Sequence, residues 1–214
     1  MMNAGEMTLE VIKRLKKEYP ELKTALRFKT PFELLVATML SAQTTDVQVN
    51  KVTEMLFKKY KSIEDYADAP LDALQKDISS INFFRNKAKN IKAAAEMIVE
   101  KFHSTVPKTM DRLTELPGVA RKTANIALSN AFGINEGIAV DTHVKRLSFR
   151  LGLTKSDDPV KIERELMAFT PKAEWGNITH LLIFHGRKVC QAKKPNHGEC
   201  VLYDICPSKN IGSS

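Results

Sequence analysis

Two short apolar helical runs meet at Leu116-Pro117-Gly118-Val119, and few chain paths accommodate that junction. Upstream, Leu113 and Leu116 form a short apolar face. Pro117 ends that helix because its ring carries no N–H for the hydrogen-bond ladder, and Gly118 admits the φ values of a tight turn. Beyond the hinge, Val119, Thr123, Ile126 and Ala127 recur at helical spacing as far as Gly133, the expected C-terminal stop. The pattern predicts a helix-hairpin-helix. Such a hairpin turns unpaired amides and the positive end of its second helix outward, which suits a phosphate. It holds nucleic-acid backbone without reading bases.

The rest of the chain repeats the helical period. Residues 8–19 place Leu9, Ile12 and Leu15 on one face and Lys13, Arg14, Lys16 and Lys17 on the other. Thr30-Pro31-Phe32-Glu33 reads as a capping box with proline at the first helical position, opening the strongly apolar run 34–40. A polar turn, residues 41–46, leads into a helix through Val49, Val52, Met55 and Leu56. Short helices are expected over 62–69 and 70–78, a longer one over 87–102, and a further one from Thr109 into the hairpin. Past Asp141 the spacing predicts helices to Leu153, over 159–169 and over 175–185. No strand alternation persists, so the expected class is all-α.

Charge points to a polyanionic partner. The 214 residues carry 33 Lys and Arg against 25 Asp and Glu, a formal net charge of +8. No apolar run approaches membrane-spanning length, and residues 1–7 lack the apolar core of a secretory signal. The expected location is the cytoplasm, at the nucleoid, or the nucleus in a eukaryote, and a monomer is expected.

Lys122 stands in the first turn of the second hairpin helix, beside Arg121. The positive helix end and the neighbouring cation both disfavour an ammonium, and a neutral amine is a nucleophile. A lysine there also serves as a plain phosphate contact. Asp141 precedes Thr142-His143-Val144 and is expected to cap the next helix. A carboxylate in that place can also stabilise developing positive charge or move a proton.

Leu116-Pro-Gly-Val-Ala-Arg-Lys-Thr-Ala followed by Val140-Asp-Thr-His resembles the catalytic core of the endonuclease III family of DNA glycosylases, and the resemblance runs from about Glu10 to Cys206. It implies a bifunctional enzyme of base excision repair acting on double-stranded DNA that contains damaged pyrimidines or abasic sites. In that family the residue matching Lys122 attacks C1′ of the damaged nucleotide and the one matching Asp141 assists. The base leaves, a Schiff base remains, and β-elimination cuts the strand. Gly118, Ala120 and Arg121 fall where the hairpin touches DNA. Ala120 stands where the family usually has a second glycine. If that position is helical, alanine fits; if it needs positive φ, the phosphate grip is distorted.

The same resemblance assigns further contacts. Gln43 matches the residue that enters the gap left by a flipped nucleotide, a role suited to an amide that both donates and accepts. Phe83 matches an apolar wedge that inserts opposite the lesion, and Asn82 stands where a glycine is common. Two lobes are implied: a six-helix domain over 25–136, and a second helical domain built from 1–24 and 137–214. Asp141 and Lys122 would then act on one nucleotide from the two lobes.

All three cysteines fall near the C-terminal end, at Cys190, Cys200 and Cys206. In an intracellular chain such clustering favours metal over disulfide. The related family carries four cysteines spaced C-x6-C-x2-C-x5-C around a [4Fe-4S] cluster. On this chain those positions are Cys190, His197, Cys200 and Cys206, so the second ligand is a histidine. Three readings stand: a Cys3His iron–sulfur cluster, a Cys3His zinc site, or a loop without metal. Lys193 and Lys194, between the first two ligands, are either solvated charge or a phosphate contact aimed by a pinned loop.

Two other functions fit the same features. One is a helix-hairpin-helix module that holds DNA without chemistry. The other is an adenine or mismatch glycosylase of the same fold, although such relatives generally lack the lysine. Lys122 with Asp141 separates both from the lyase reading.

Overall fold

Eleven α-helices and two 3-10 turns make up the regular structure of residues 2–20 and 24–211, which the computed structural model describes. They form two units, Met1–Lys23 with Asn135–Ser214, and Thr24–Ile134, each with its own core.

The first helix, α1 (Ala4–Glu18), begins at Ala4 rather than Thr8 because Asn3 and Glu6 form a reciprocal capping box. Its buried face is Met7, Val11, Ile12 and Leu15, whereas Leu9, expected inside, is 51% exposed. Met7, Val11 and Leu15 recur every fourth residue, and that stripe leaves Leu9 on the far side.

In the unit Thr24–Ile134, Thr30 accepts from the Glu33 amide (3.1 Å) to open α2 (Pro31–Ser41). The box is half made, since Glu33 reaches back to the Lys29 amide instead of that of Thr30. Residues 32 and 34–40 of α2 are all buried, the mark of a helix enclosed by its neighbours. Around it lie α3 (Asp46–Lys59), α4 (Ile63–Asp68), α5 (Leu71–Asp77), α6 (Phe84–Phe102), α7 (Met110–Thr114) and α8 (Arg121–Phe132). Leu35, Leu40, Leu56, Leu74, Ile91, Leu113 and Leu128 share this core, and each fully buried side chain of this size contributes roughly 1.5–3 kcal/mol. Helix α6 starts at Phe84 rather than Lys87. Phe83 is left-handed (φ 58°), and that sharp turn lets the helix begin at the next residue.

The other unit adds α9 (Thr142–Arg150), α10 (Pro159–Phe169) and α11 (Trp175–Lys188) to α1. Val11, Leu15, Val144, Leu147, Ile162, Leu166, Ile178 and Leu182 form its core. Among the described residues, no helix is long and apolar enough to cross a membrane.

Candidate nucleic-acid interface and metal-binding loop

The hinge between α7 and α8 is built as its sequence demands. Leu116 N–H donates to Leu113 O (3.2 Å) and Val119 N–H to Leu116 O (3.0 Å), closing two successive turns. Gly118 has φ +76°, and a Cβ there would lie 2.8 Å from Asn90 Cβ and 2.9 Å from Met39 Cε. Both conformation and space require glycine. Ala120, the N-cap of α8, is extended (φ −82°, ψ 167°), a backbone any residue adopts, so alanine sits there without strain. Its methyl group makes no cap hydrogen bond. The Ala120 side chain thus does not cap α8, and a helix start of this kind suits an external acceptor such as a phosphate. Arg121 and Lys122 occupy that first turn, both exposed.

Gln43 and Phe83 lie on two neighbouring loops of the same unit. Both are left-handed, with φ of 55° and 58°, a conformation costing a non-glycine residue roughly 1–2 kcal/mol. Such strain persists only where the surroundings over-determine it. Three ties do so here. Asn82 Nδ2 donates to Gln43 O at 2.6 Å, and Gln48 Nε2 donates to Ser80 Oγ at 2.9 Å. Lys87, buried on α6, donates from Nζ to Leu40 O (2.8 Å) and Ala42 O (2.6 Å). Helix α2 has no basic residue in its own last turn, so Lys87 supplies the cation its negative end favours. Burial pulls the Lys87 pKa down, while the two carbonyls hold the ammonium. At the tip Phe83 is 63% exposed, whereas Phe84 packs partly against the core. Since Gly118 abuts Met39 and Asn90, the hinge and the two loops gather at the C-terminal end of α2 and the first half of α6.

Asp141 lies in the other unit, half-buried at the N-cap of α9. Its Oδ1 accepts from the amides of His143 and Val144, both at 2.8 Å. The two bonds fix the rotamer and leave Oδ2 outside the cap.

The same helix holds the cysteine loop. Arg146 Nη2 donates to Gly186 O (2.9 Å) and Cys190 O (3.1 Å). Buried Arg150 donates to Gln191 O and Ala192 O (both 2.8 Å) and to Cys190 Sγ (3.2 Å). Sequence reasoning passed over both arginines, because their partners lie some 40 residues away. Cys190, His197, Cys200 and Cys206 line one small pocket together with Arg150 and Tyr203. His185 Nε2 is 3.5 Å from Cys200 Sγ, and its Nδ1 is 3.1 Å from the Tyr19 hydroxyl. Burial pushes His185 down to about 4 and raises the Cys200 and Cys206 thiols. Among the described residues, no three His, Cys, Asp or Glu side chains are arranged to hold a single metal ion. Three thiols and an imidazole spread around one cavity suit a cluster several atoms across. Lys193 and Lys194 are exposed on the loop that Arg150 anchors.

An all-helical chain with a Pro-Gly hairpin, a lysine in the first turn of the helix that follows it and a C-terminal cysteine loop defines a helix-hairpin-helix DNA-repair enzyme. Residues 36–172 match the family described as HhH-GPD superfamily base excision DNA repair protein, and residues 190–206 match the iron-sulfur binding domain of endonuclease III. Endonuclease III of Synechocystis sp. is 51% identical over 208 residues, 97% of this chain and 95% of the relative. That of Bacillus subtilis is 50% identical over 189 residues, 88% of this chain and 86% of the relative. The chain belongs to the endonuclease III family, the DNA glycosylases and abasic-site lyases of base excision repair. Two solved structures, a trapped endonuclease III–DNA covalent intermediate and a non-covalent endonuclease III–DNA complex, each superpose with a TM-score of 0.92 at 43% identity, covering 98% of both chains. A thermostable thymine-DNA glycosylase shares the fold alone, with a TM-score of 0.85 at 20% identity. The partner is DNA, and the C-terminal loop is an iron–sulfur domain.

Proposed function

We propose that this chain excises oxidised pyrimidines from duplex DNA as a monomer at the bacterial nucleoid and then cuts the strand at the abasic site through a lysine Schiff base. The observation that carries the reading is the place of Lys122, an exposed amine in the first turn of α8 directly after the Gly118 hinge. Amides there take a phosphate, with Gly118, Ala120 and Arg121 around it, and bring the sugar of a flipped nucleotide to the amine. Gln43 and Phe83 fill the space the nucleotide leaves. The Lys122 amine bonds to C1′, the C1′–N bond breaks, and the base departs with a proton. Asp141, its rotamer fixed by the cap, is the carboxylate assigned to the positive charge that develops on the sugar, and the proton lost by Lys122 leaves to water. The nitrogen lone pair then expels O4′, which takes up a proton, and the opened sugar stays joined to Lys122 as an iminium. Removal of a C2′ proton then expels the 3′ phosphate, and water hydrolyses the iminium to free the lysine.

Cys190, His197, Cys200 and Cys206 would hold a [4Fe-4S] cluster. Bound there, the cluster supplies a rigid, redox-active pin for the loop. Arg150 and the loop backbone keep Lys193 and Lys194 toward solvent, where they meet phosphates.

The test is a duplex containing thymine glycol, incubated with and without borohydride. Lys122→Gln should abolish the trapped adduct and strand cutting while DNA binding persists. Asp141→Asn should slow base release strongly, with a stability loss of about 0.5–1 kcal/mol at most, since asparagine still caps a helix. Trapping at wild-type level in Lys122→Gln would place the nucleophile elsewhere.

A further inference from the structure

The two residues expected to enter the duplex are joined to each other before any DNA arrives. Asn82 immediately precedes Phe83 and donates from its side chain to the main-chain carbonyl of Gln43 at 2.6 Å. A second tie, Gln48 Nε2 to Ser80 Oγ at 2.9 Å, links the same two segments one turn away. Both tips are left-handed without being glycine. A glycine at position 82 has no side chain to make the link, so it is a property of this chain's asparagine.

We infer that Asn82 is a positioning residue that locks Gln43 and Phe83 into one preorganised probe, so that the two side chains enter the base stack as a unit. The inference rests on the insertion roles given to Gln43 and Phe83 above. Two independent wedges would each bear the ordering of its own loop on binding. A linked pair carries the correct spacing in the free protein, and disturbing one member displaces the other.

A double-mutant cycle reads this coupling. Kd is measured by fluorescence anisotropy for a duplex carrying a tetrahydrofuran abasic-site analogue and for the matching undamaged duplex. The proteins are Gln43→Ala, Phe83→Ala and the double variant, each in the native, Asn82→Ala and Asn82→Asp backgrounds. Aspartate keeps the shape of asparagine and removes the donor, and its charge cancels within its own cycle. With Asn82 present, the double variant should lose less lesion affinity than the product of the single losses, by roughly fivefold or more. In both Asn82 backgrounds the losses should multiply, while affinity for undamaged duplex in the Asn82→Ala protein stays near the native value. Losses that already multiply in the native protein would overturn the inference. So would an equal coupling in all three backgrounds, which would assign it to the DNA. If neither Gln43→Ala nor Phe83→Ala weakens lesion binding, the insertion reading fails and the coupling falls with it.

Discussion

The ammonium of Lys87 donates to the Ala42 carbonyl at 2.6 Å, so a cation carried by α6 closes the last turn of α2. Leu40 O is held by the same group at 2.8 Å. Residues 41–45, with Gln43 at the tip, hang from that closure. The relationship joins packing to function, since the apolar interior that buries Lys87 also fixes where the loop emerges.

Lys87→Met keeps the apolar stem and removes the donors. Two carbonyls then lose a charged partner, and stability should fall by about 1–3 kcal/mol. Amide exchange over residues 41–45 should accelerate, and affinity for an abasic-site duplex should drop more than affinity for undamaged duplex. Unchanged exchange in the loop would mean that the lysine fills space and holds nothing.

The hinge makes a contrasting pair. Gly118→Ala meets both a positive φ and contacts under 3 Å with Asn90 and Met39, so it should cost about 1–3 kcal/mol and weaken binding to every duplex alike. Ala120→Gly should change stability by only a few tenths of a kcal/mol, because the extended backbone at that cap suits either residue. Equal losses at the two positions, in urea unfolding and in Kd, would contradict this account of the hairpin.

What was legible in the sequence was local. Pro117-Gly118, the stop at Gly133 and the cap at Asp141 each involve residues within a turn or two, and each stands as read. The face of α8 is shifted: Val119 precedes the helix, and Ala124, Asn125, Ala127 and Leu128 are buried where Thr123 and Ile126 are half-exposed. The register of α1 was misread because Asn3 was not taken as a cap, although Asn-x-x-Glu is a visible start signal. Lys87 opens the helix expected over 87–102, and its spacing to Ile91, Ala94 and Ile98 marks it as part of the buried face of α6. Arg146 and Arg150 gave no such sign. Apart from the contact of Arg146 Nη2 with His143 Nδ1 (3.1 Å), their partners are carbonyls and a thiol on a distant segment, which no pattern within α9 specifies.

Acid should destabilise the unit that contains Asp141. Burial lowers the pKa values of His180 and His143 below the ordinary 6.5. Between those folded values and 6.5 the unfolded chain binds more protons than the folded one, so stability rises with pH there and is lost as pH falls below about 6.5. Trp175, the single tryptophan, donates to Thr170 O within this unit and reports its unfolding. Urea midpoints followed by its fluorescence should fall between pH 7.5 and 5.5, and His180→Gln should flatten that slope. A slope unaltered by His180→Gln would remove this histidine from the cause.

His197 bears the last prediction. It is half-buried in a 3-10 turn, its ring 5.5 Å from that of Tyr203, and it lines the cavity shared by the three cysteines. A Cys3His cluster should colour the purified protein yellow-brown, with about four irons per chain; about one zinc per chain would instead support a tetrahedral site. Imidazole is neutral where thiolate is negative, so the cluster should reduce more easily than in His197→Cys. His197→Cys should also retain iron longer against a chelator, and His197→Ala should lose it faster. If His197→Ala holds iron as well as the native protein, the fourth position belongs to another donor. Anaerobically prepared, active protein with neither metal would leave Arg150 and the surrounding packing as what holds the loop. In that case Arg150→Met should release Lys193 and Lys194 from DNA and flatten the salt dependence of binding.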